Sequence, residues 1–217
     1  KADYEGYTYN ILNGNTATWY SYTLVTSEET TGEPVNDAIY ERTQRTNEFL
    51  NVNVVESNIN NSHEELKKAV QAGTKDYDLA LCYLMTDYAL AVEGNVLELN
   101  SEVPGLDMSG VWWDQNSIND LSINNKLYFV TSDFDTTRFD NIRSLYFNKQ
   151  IIESHGLENP YDIVDSGKWP IDKFIEMAEK TVSDADGNGV MTDTDSYGYI
   201  GYVELVTDLM LCGAGIK

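Results

Sequence analysis

Apolar and polar residues alternate over Tyr7 to Leu12 (YTYNIL), and the run stops in Asn13-Gly14-Asn15, which predicts a strand ending in a turn. Pro34 stands where a first helical turn belongs, and Val35, Ile39, Thr46 and Phe49 continue it as an amphipathic stripe. Val52 to Val55 (VNVV) predicts a second, β-branched strand. Ser62 to Ala72 predicts a helix with Ser62 as N-cap, Glu65 at capping-box spacing and Gly73 as its stop. Asp78 to Cys82 is apolar enough for a strand covered on both faces, and Thr86 to Glu93 predicts a helix stopped by Gly94. This β-α-β rhythm points to an open α/β sheet.

Periodicity then lapses over 101–125, a stretch dense in turn residues. Strands are expected again in KLYFVTSDFD from Lys126 and in IRSLYFN from Ile142. Helices follow at Lys149 to His155 and from Ile171 to Lys180, and an apolar helix precedes Gly213. A boundary is expected near 131–140, separating a domain at 1–133 from one at 134–217. Two strands and a few helices make a poor core for the second domain, so that domain is expected to be incomplete in this sequence; a compact small domain is the alternative.

Composition narrows the function classes. A formal net charge of −22, with a pI near 4.1, repels phosphate backbones and anionic lipid, and the fourteen Lys and Arg are scattered. Nucleic acid is therefore not an expected partner, and no apolar run approaches the ~20 residues of a membrane span. Cys82 and Cys212 are too few for a disulfide framework and read as small hydrophobes in apolar runs. His63 and His155 stand at no metal-ligand or triad spacing, and no carboxylate pair is singled out for glycoside hydrolysis. The chain is expected not to be an enzyme.

The sharpest local signal lies at 184–195. Calcium loops place oxygen donors at positions 1, 3, 5, 7, 9 and 12, with Gly at 6. Here those positions are Asp184, Asp186, Asn188, the Val190 carbonyl, Thr192 through water, and Asp195, with Gly189 in place. Asp instead of Glu at position 12 must approach more closely to bind through both oxygens. The competing reading is a metal-free acidic turn. A single copy of the loop implies a structural calcium, since paired sensor domains need two. A second signal is aromatic residues beside turns: Trp19, Tyr20, Tyr83, Trp112, Trp113 and Phe134. Such rings stack on sugar faces or plug cores.

In order along the chain, YTYNILNGNTATWY, GEPVNDAIYER, YDLAL, VWWD, NNKLYF, LYFNK, NPYDIVDSGKWPIDKF and DADGNGVMTDTDSYGY resemble the extracellular solute-binding proteins of family 1, the capture subunits of ABC importers. The resemblance implies a type II periplasmic-binding fold, with two lobes of mixed sheets flanked by helices, and a chain of about twice this length. It implies a carbohydrate-type solute held between lobes, ABC permease subunits as partners, and an extracellular, lipid-anchored location. Within it, Asn15, Trp19, Tyr83 and Asp87 are the expected first-lobe ligand contacts, with Asp133 at the crossover. The competing class is a calcium-stabilised cell-surface module that adheres to carbohydrate without a transporter.

Overall fold

A computed structural model describes residues 2–14, 23–136 and 143–213, apart from the side chains of 84–87, 204, 205, 208 and 212. Asn15 and Trp19 lie outside the described residues, as do Tyr20 and the side chains of Asp87 and Cys212. The chain divides into two compact units, Lys1–Ile142 and Arg143–Lys217.

The first unit is α/β. Its strands are β1 (Tyr7–Asn13), β2 (Val52–Asn58) and β3 (Leu79–Leu81), and its helices are α1 (Pro34–Leu50), α2 (Ser62–Ala72), α3 (Leu84–Val92) and α4 (Gln115–Asp120). The sheet order is β2-β1-β3, with both pairs parallel, in register from Tyr7↔Val52 to Asn13↔Asn58 and from Ile11↔Leu79 to Asn13↔Leu81. Parallel neighbours need long crossovers, which α1 and α2 supply. β1 is exposed where it begins and buried where it ends, with Ile11, Leu12 and Asn13 all covered. The sheet among the described residues is thus wholly parallel, where mixed sheets were expected.

Caps explain the helix bounds. Glu33 accepts from Asn36 N at 2.7 Å ahead of Pro34, and α1 ends at Asn51, whose φ of 53° reverses the chain. The covered face of α1 runs through Ile39 and Thr43, while Val35 and Phe49 are exposed, which corrects the expected stripe. The reason is local: the segment 23–26 lies over that face, and Thr43 Oγ1 donates to the carbonyls of Ile39 (2.9 Å) and Val25 (3.3 Å). The capping box of α2 does not form. Asn61 is the N-cap, Ser62 is buried as the first helical residue, and the Glu65 carboxylate accepts instead from Tyr77 Oη at 3.3 Å. Ser62 closes on Gly14 so tightly that a Cβ there would lie 1.9 Å from its Oγ.

Two expected strands are absent among the described residues. Residues 126–135 form no ladder, only the isolated bridges Ile123↔Lys126 and Trp113↔Ser132. Asn124 and Asn125 turn the chain with φ of 52° and 64°, and the backbone polar groups of Leu127 go to Asn100 Oδ1 (3.2 Å) and Leu99 N (2.7 Å). Leu127, 2% exposed, acts as a single peg into the core. Residues 143–148 are likewise irregular, and Tyr146 is 92% exposed. An apolar run without a neighbouring ladder has no use for its backbone donors as a strand. The stretch read as loop conversely holds α4, whose cap Asp114 accepts from Asn116 N and Ser117 N, both at 2.9 Å.

The second unit is helical among its described residues: α5 (Lys149–Ser154), α6 (Pro160–Asp165), α7 (Ile171–Glu179) and α8 (Val203–Gly213). Asn148 and Asn159 cap α5 and α6 through their side-chain oxygens. Among its described residues Pro160, Ile163 and Met177 are the buried apolar ones, and the Phe174 ring centroid lies 6.5 Å from that of Trp169 and 5.2 Å from that of Tyr199. The 196–199 turn lies so close on α7 that a Cβ at Gly198 would come within 2.0 Å of the Ala178 carbonyl oxygen. No helix among the described residues is long and apolar enough to cross a membrane.

Candidate functional site

Two polar constellations stand out, one in each unit. The first is at the C-terminal end of the sheet. Asn13 closes β1, wholly buried, and its Nδ2 donates to Thr23 O at 2.7 Å and to Glu56 Oε1 at 2.6 Å. Glu56, opposite Ile11 in the ladder, accepts through Oε2 from Val25 N (3.2 Å), Thr26 N (2.8 Å) and Thr26 Oγ1 (3.0 Å). Arg42 donates to Val25 O at 2.8 Å, and its guanidinium carbon lies 4.5 Å from the Phe134 ring centroid. Burial pulls the Arg42 guanidinium down from its usual range, and the Glu56 charge opposes that shift. Thr23 Oγ1 donates to Asp135, which ties the same cluster to the 132–135 turn.

Among the expected ligand contacts, Tyr83 lies two positions past the end of β3, as the N-cap of α3, and is 49% exposed. Asp133 lies in the turn beside Asp135, its N–H donating to Trp112 O at 2.9 Å. Asp87 is within α3. Of the other aromatic residues, Phe134 backs Arg42, Trp113 is half-buried and donates its indole N–H to Asp107 O at 2.8 Å, and Trp112 is exposed. Asn13, Thr23, Arg42, Glu56 and Asp135 were not singled out by sequence. A glutamate directly after the β-branched run VNVV and an asparagine closing a strand were the signals available for two of them.

The second constellation is the acidic loop. Asp184, Asp186 and Asp195 each bring a carboxylate oxygen to within 4.8 Å of the others. The loop is pinned shut by the bridge Ser183↔Ser196. Asp184 accepts from the N–H groups of Gly187 (2.7 Å), Asn188 (3.2 Å) and Gly189 (2.7 Å), and the backbone at Gly187 and Gly189 takes positive φ, 69° and 78°. Asp195 accepts from Ala185 N (2.7 Å), Thr192 N (2.7 Å) and Thr192 Oγ1 (3.1 Å). Asn188 donates to Asp186 Oδ2 at 2.6 Å and accepts from Val190 N at 2.7 Å. These bonds hold Asp184 and Asp195 below the usual aspartate range, led by the Gly189 N–H for Asp184 and the Thr192 N–H for Asp195. Every donor in the set is oxygen, and a converging trio of carboxylates has the chemistry of a hard divalent cation site. Of the six expected ligands, the three carboxylates converge, and Asn188 and Thr192 are engaged in orienting them.

No protein-family model matches the chain, and no curated protein matches it. A solved structure of CpMnBP1 with mannotriose bound is similar to it at 16% identity and a TM-score of 0.40, covering 83% of this chain and 39% of that one. The chain thus spans about two fifths of that protein's length.

Proposed function

We propose that the chain belongs to the extracytoplasmic solute-binding component of an ABC importer, taking a carbohydrate-type solute and acting without catalysis. The observation that carries this reading is the sheet order β2-β1-β3. From β1 the chain crosses to one side and later returns to the other, so the carboxyl end of β1 is a topological switch point, where open parallel sheets bind ligands. Asn13 and Gly14 stand at that end, with the Asn13 amide buried and bonded to Thr23 and Glu56, and the half-exposed Tyr83, two positions past the neighbouring strand, supplies an aromatic face. The Asn13–Glu56–Thr23–Asp135 network fixes the rim of that site. Closure of two lobes about the solute would generate the form read by permease subunits. Asp184, Asp186 and Asp195, with Asn188, the Val190 carbonyl and Thr192 through water, would hold a structural calcium that charge-balances the loop.

The acidic loop also favours a second reading, a calcium-stabilised cell-surface module that adheres to carbohydrate. A thermal-shift screen against mannotriose, maltotriose and cellotriose, with and without calcium, tests the ligand class. The importer reading expects a soluble trisaccharide to raise the melting temperature. Binding to insoluble glycan alone transfers support to the surface module, and no response to any glycan removes the carbohydrate class altogether.

A further inference from the structure

Residues 158–173 line a groove within the second unit, apart from the carboxyl end of the sheet. Its volume is about 930 Å³, at the upper end of the ~300–1,000 Å³ typical of small-molecule sites. It exists because α6 ends in a turn at Gly167, where φ is 68°, and the chain doubles back through Trp169-Pro170 into α7. The floor is the buried Ile163 and the wall the half-buried Trp169. Polar groups from both helices and the segments beside α6 line it: Asp162 from α6, Lys173 from α7, and Glu158 and Lys168 from the flanking chain. Lys173 is already set in place, 2.7 Å from Glu158 and 3.6 Å from Glu176.

The lining discriminates between ligand classes by its charge. Two carboxylates face two ammonium groups, so the four lining charges cancel and favour neither anion nor cation. What remains is a mixture of strong acceptors and strong donors beside one indole. That combination suits a neutral ligand carrying many hydroxyls, each able to give and accept, with an apolar ring face to lay against an aromatic wall. A purely apolar ligand would strand the four charges without water. A nucleotide or peptide carboxylate would meet Glu158 and Asp162.

We propose that this groove is a second saccharide-binding position, separate from the carboxyl end of the sheet, with Trp169 as its stacking wall and Asp162 and Lys168 as hydrogen-bonding partners. The proposal rests on saccharide being the chain's ligand class and adds where in the second unit it binds. The test is titration of the whole 217-residue chain with mannotriose, maltotriose and cellotriose, followed by tryptophan emission and calorimetry. Trp169→Phe is expected to remove the emission change of one binding event. Asp162→Asn combined with Lys168→Ala is expected to weaken that event by about tenfold. This double variant leaves the core intact, so it keeps the test valid if the tryptophan variant fails to fold. If wild type and variants bind the same sugar equally, the groove is overturned while the receptor reading stands. If the wild type binds none of the three, both are overturned.

Discussion

Glu56 and Asp184 both spend a carboxylate on backbone N–H groups, but their partners lie at very different distances along the chain. Those of Glu56 are 30 and 31 residues away, whereas those of Asp184 are three, four and five residues on. The Asp184 loop therefore closes on itself at little loop-closure cost, and its geometry follows from twelve consecutive residues. The Glu56 clasp exists only after β1, β2 and the 23–26 segment have assembled. One constellation is a consequence of local sequence and the other a consequence of the fold.

Removing Glu56 breaks that comparison most severely. Glu56→Ala strands two backbone N–H groups, the Thr26 hydroxyl and one donor of the buried Asn13. Charge-assisted bonds contribute more than neutral ones, and half-buried donors regain only some water, so the expected loss is about 3 kcal/mol. Urea unfolding followed by far-UV circular dichroism measures it. A loss below about 1 kcal/mol would show that the segment 23–26 is held chiefly by apolar burial of Val25 and the clasp is incidental.

The acidic loop should respond to an ion and not to the rest of the fold. At a hundredfold excess over its dissociation constant, calcium is expected to raise the melting temperature by roughly 5 °C, and EDTA to reverse the rise. Asp184→Ala should abolish the calcium response while leaving the metal-free transition nearly unmoved, because its partners are exposed loop amides. A calcium response that persists in the variant would place the ion elsewhere. A large drop without metal would mean that the loop organises its unit as Glu56 does the C-terminal end of the sheet.

The same division explains what the sequence made legible. Helices α1, α2 and α7 were readable within a residue or two because Pro34, Gly73 and Pro170 punctuate them locally. The convergence of Asp184, Asp186 and Asp195 was readable for the same reason. The strands expected near 126–135 and 142–148 failed because a strand needs a neighbour, and composition does not reveal whether one is in reach. Leu127 shows the alternative fate of an apolar residue, a lone peg held by Asn100. β2 continues through Glu56 to Asn58, past the point where β propensity ends, because β1 supplies the ladder. The cluster of Asn13, Thr23, Arg42, Glu56 and Asp135 was hidden because its members are scattered over 123 positions, from 13 to 135. The capping-box spacing of Ser62 and Glu65 misled because Gly14 and Tyr77 claim those side chains.

Acid separates the two constellations more gently. Backbone donors hold Asp184 and Asp195 below the ordinary aspartate value of 3.8 in the folded loop. A depressed folded pKa contributes stability that is fully present above the unfolded value and is lost as pH falls through the folded one. The loop should thus keep its structure from pH 7 down to about 4.5 and lose it only below the usual aspartate range. Amide chemical shifts of Gly187 and Gly189 report this directly, since both N–H groups donate to Asp184. Movement of those resonances already at pH 5 would contradict the depressed values, and would show that repulsion among the three carboxylates outweighs the backbone donors and raises their pKa.

The smallest expected effect isolates what geometry alone contributes. Arg45 and Glu41 lie one helical turn apart on α1 at 3.0 Å, the same distance as that between Thr26 Oγ1 and Glu56. Their side chains are 80% and 60% exposed, so water competes for both charges and each must be held against its own rotamer freedom. Glu precedes Arg at i, i+4, the favourable order relative to the helix dipole. Glu41→Ala should nevertheless cost only about 0.3 kcal/mol, and added salt should erase the difference. A double-mutant cycle with Arg45→Ala gives the coupling free of the change in helix propensity. A coupling near that of the Glu56 clasp would mean that separation in space sets the energy. A tenfold gap between them would say instead that desolvation does, since the clasp is half-buried among β1, β2 and residues 23–26 while the helix pair is exposed.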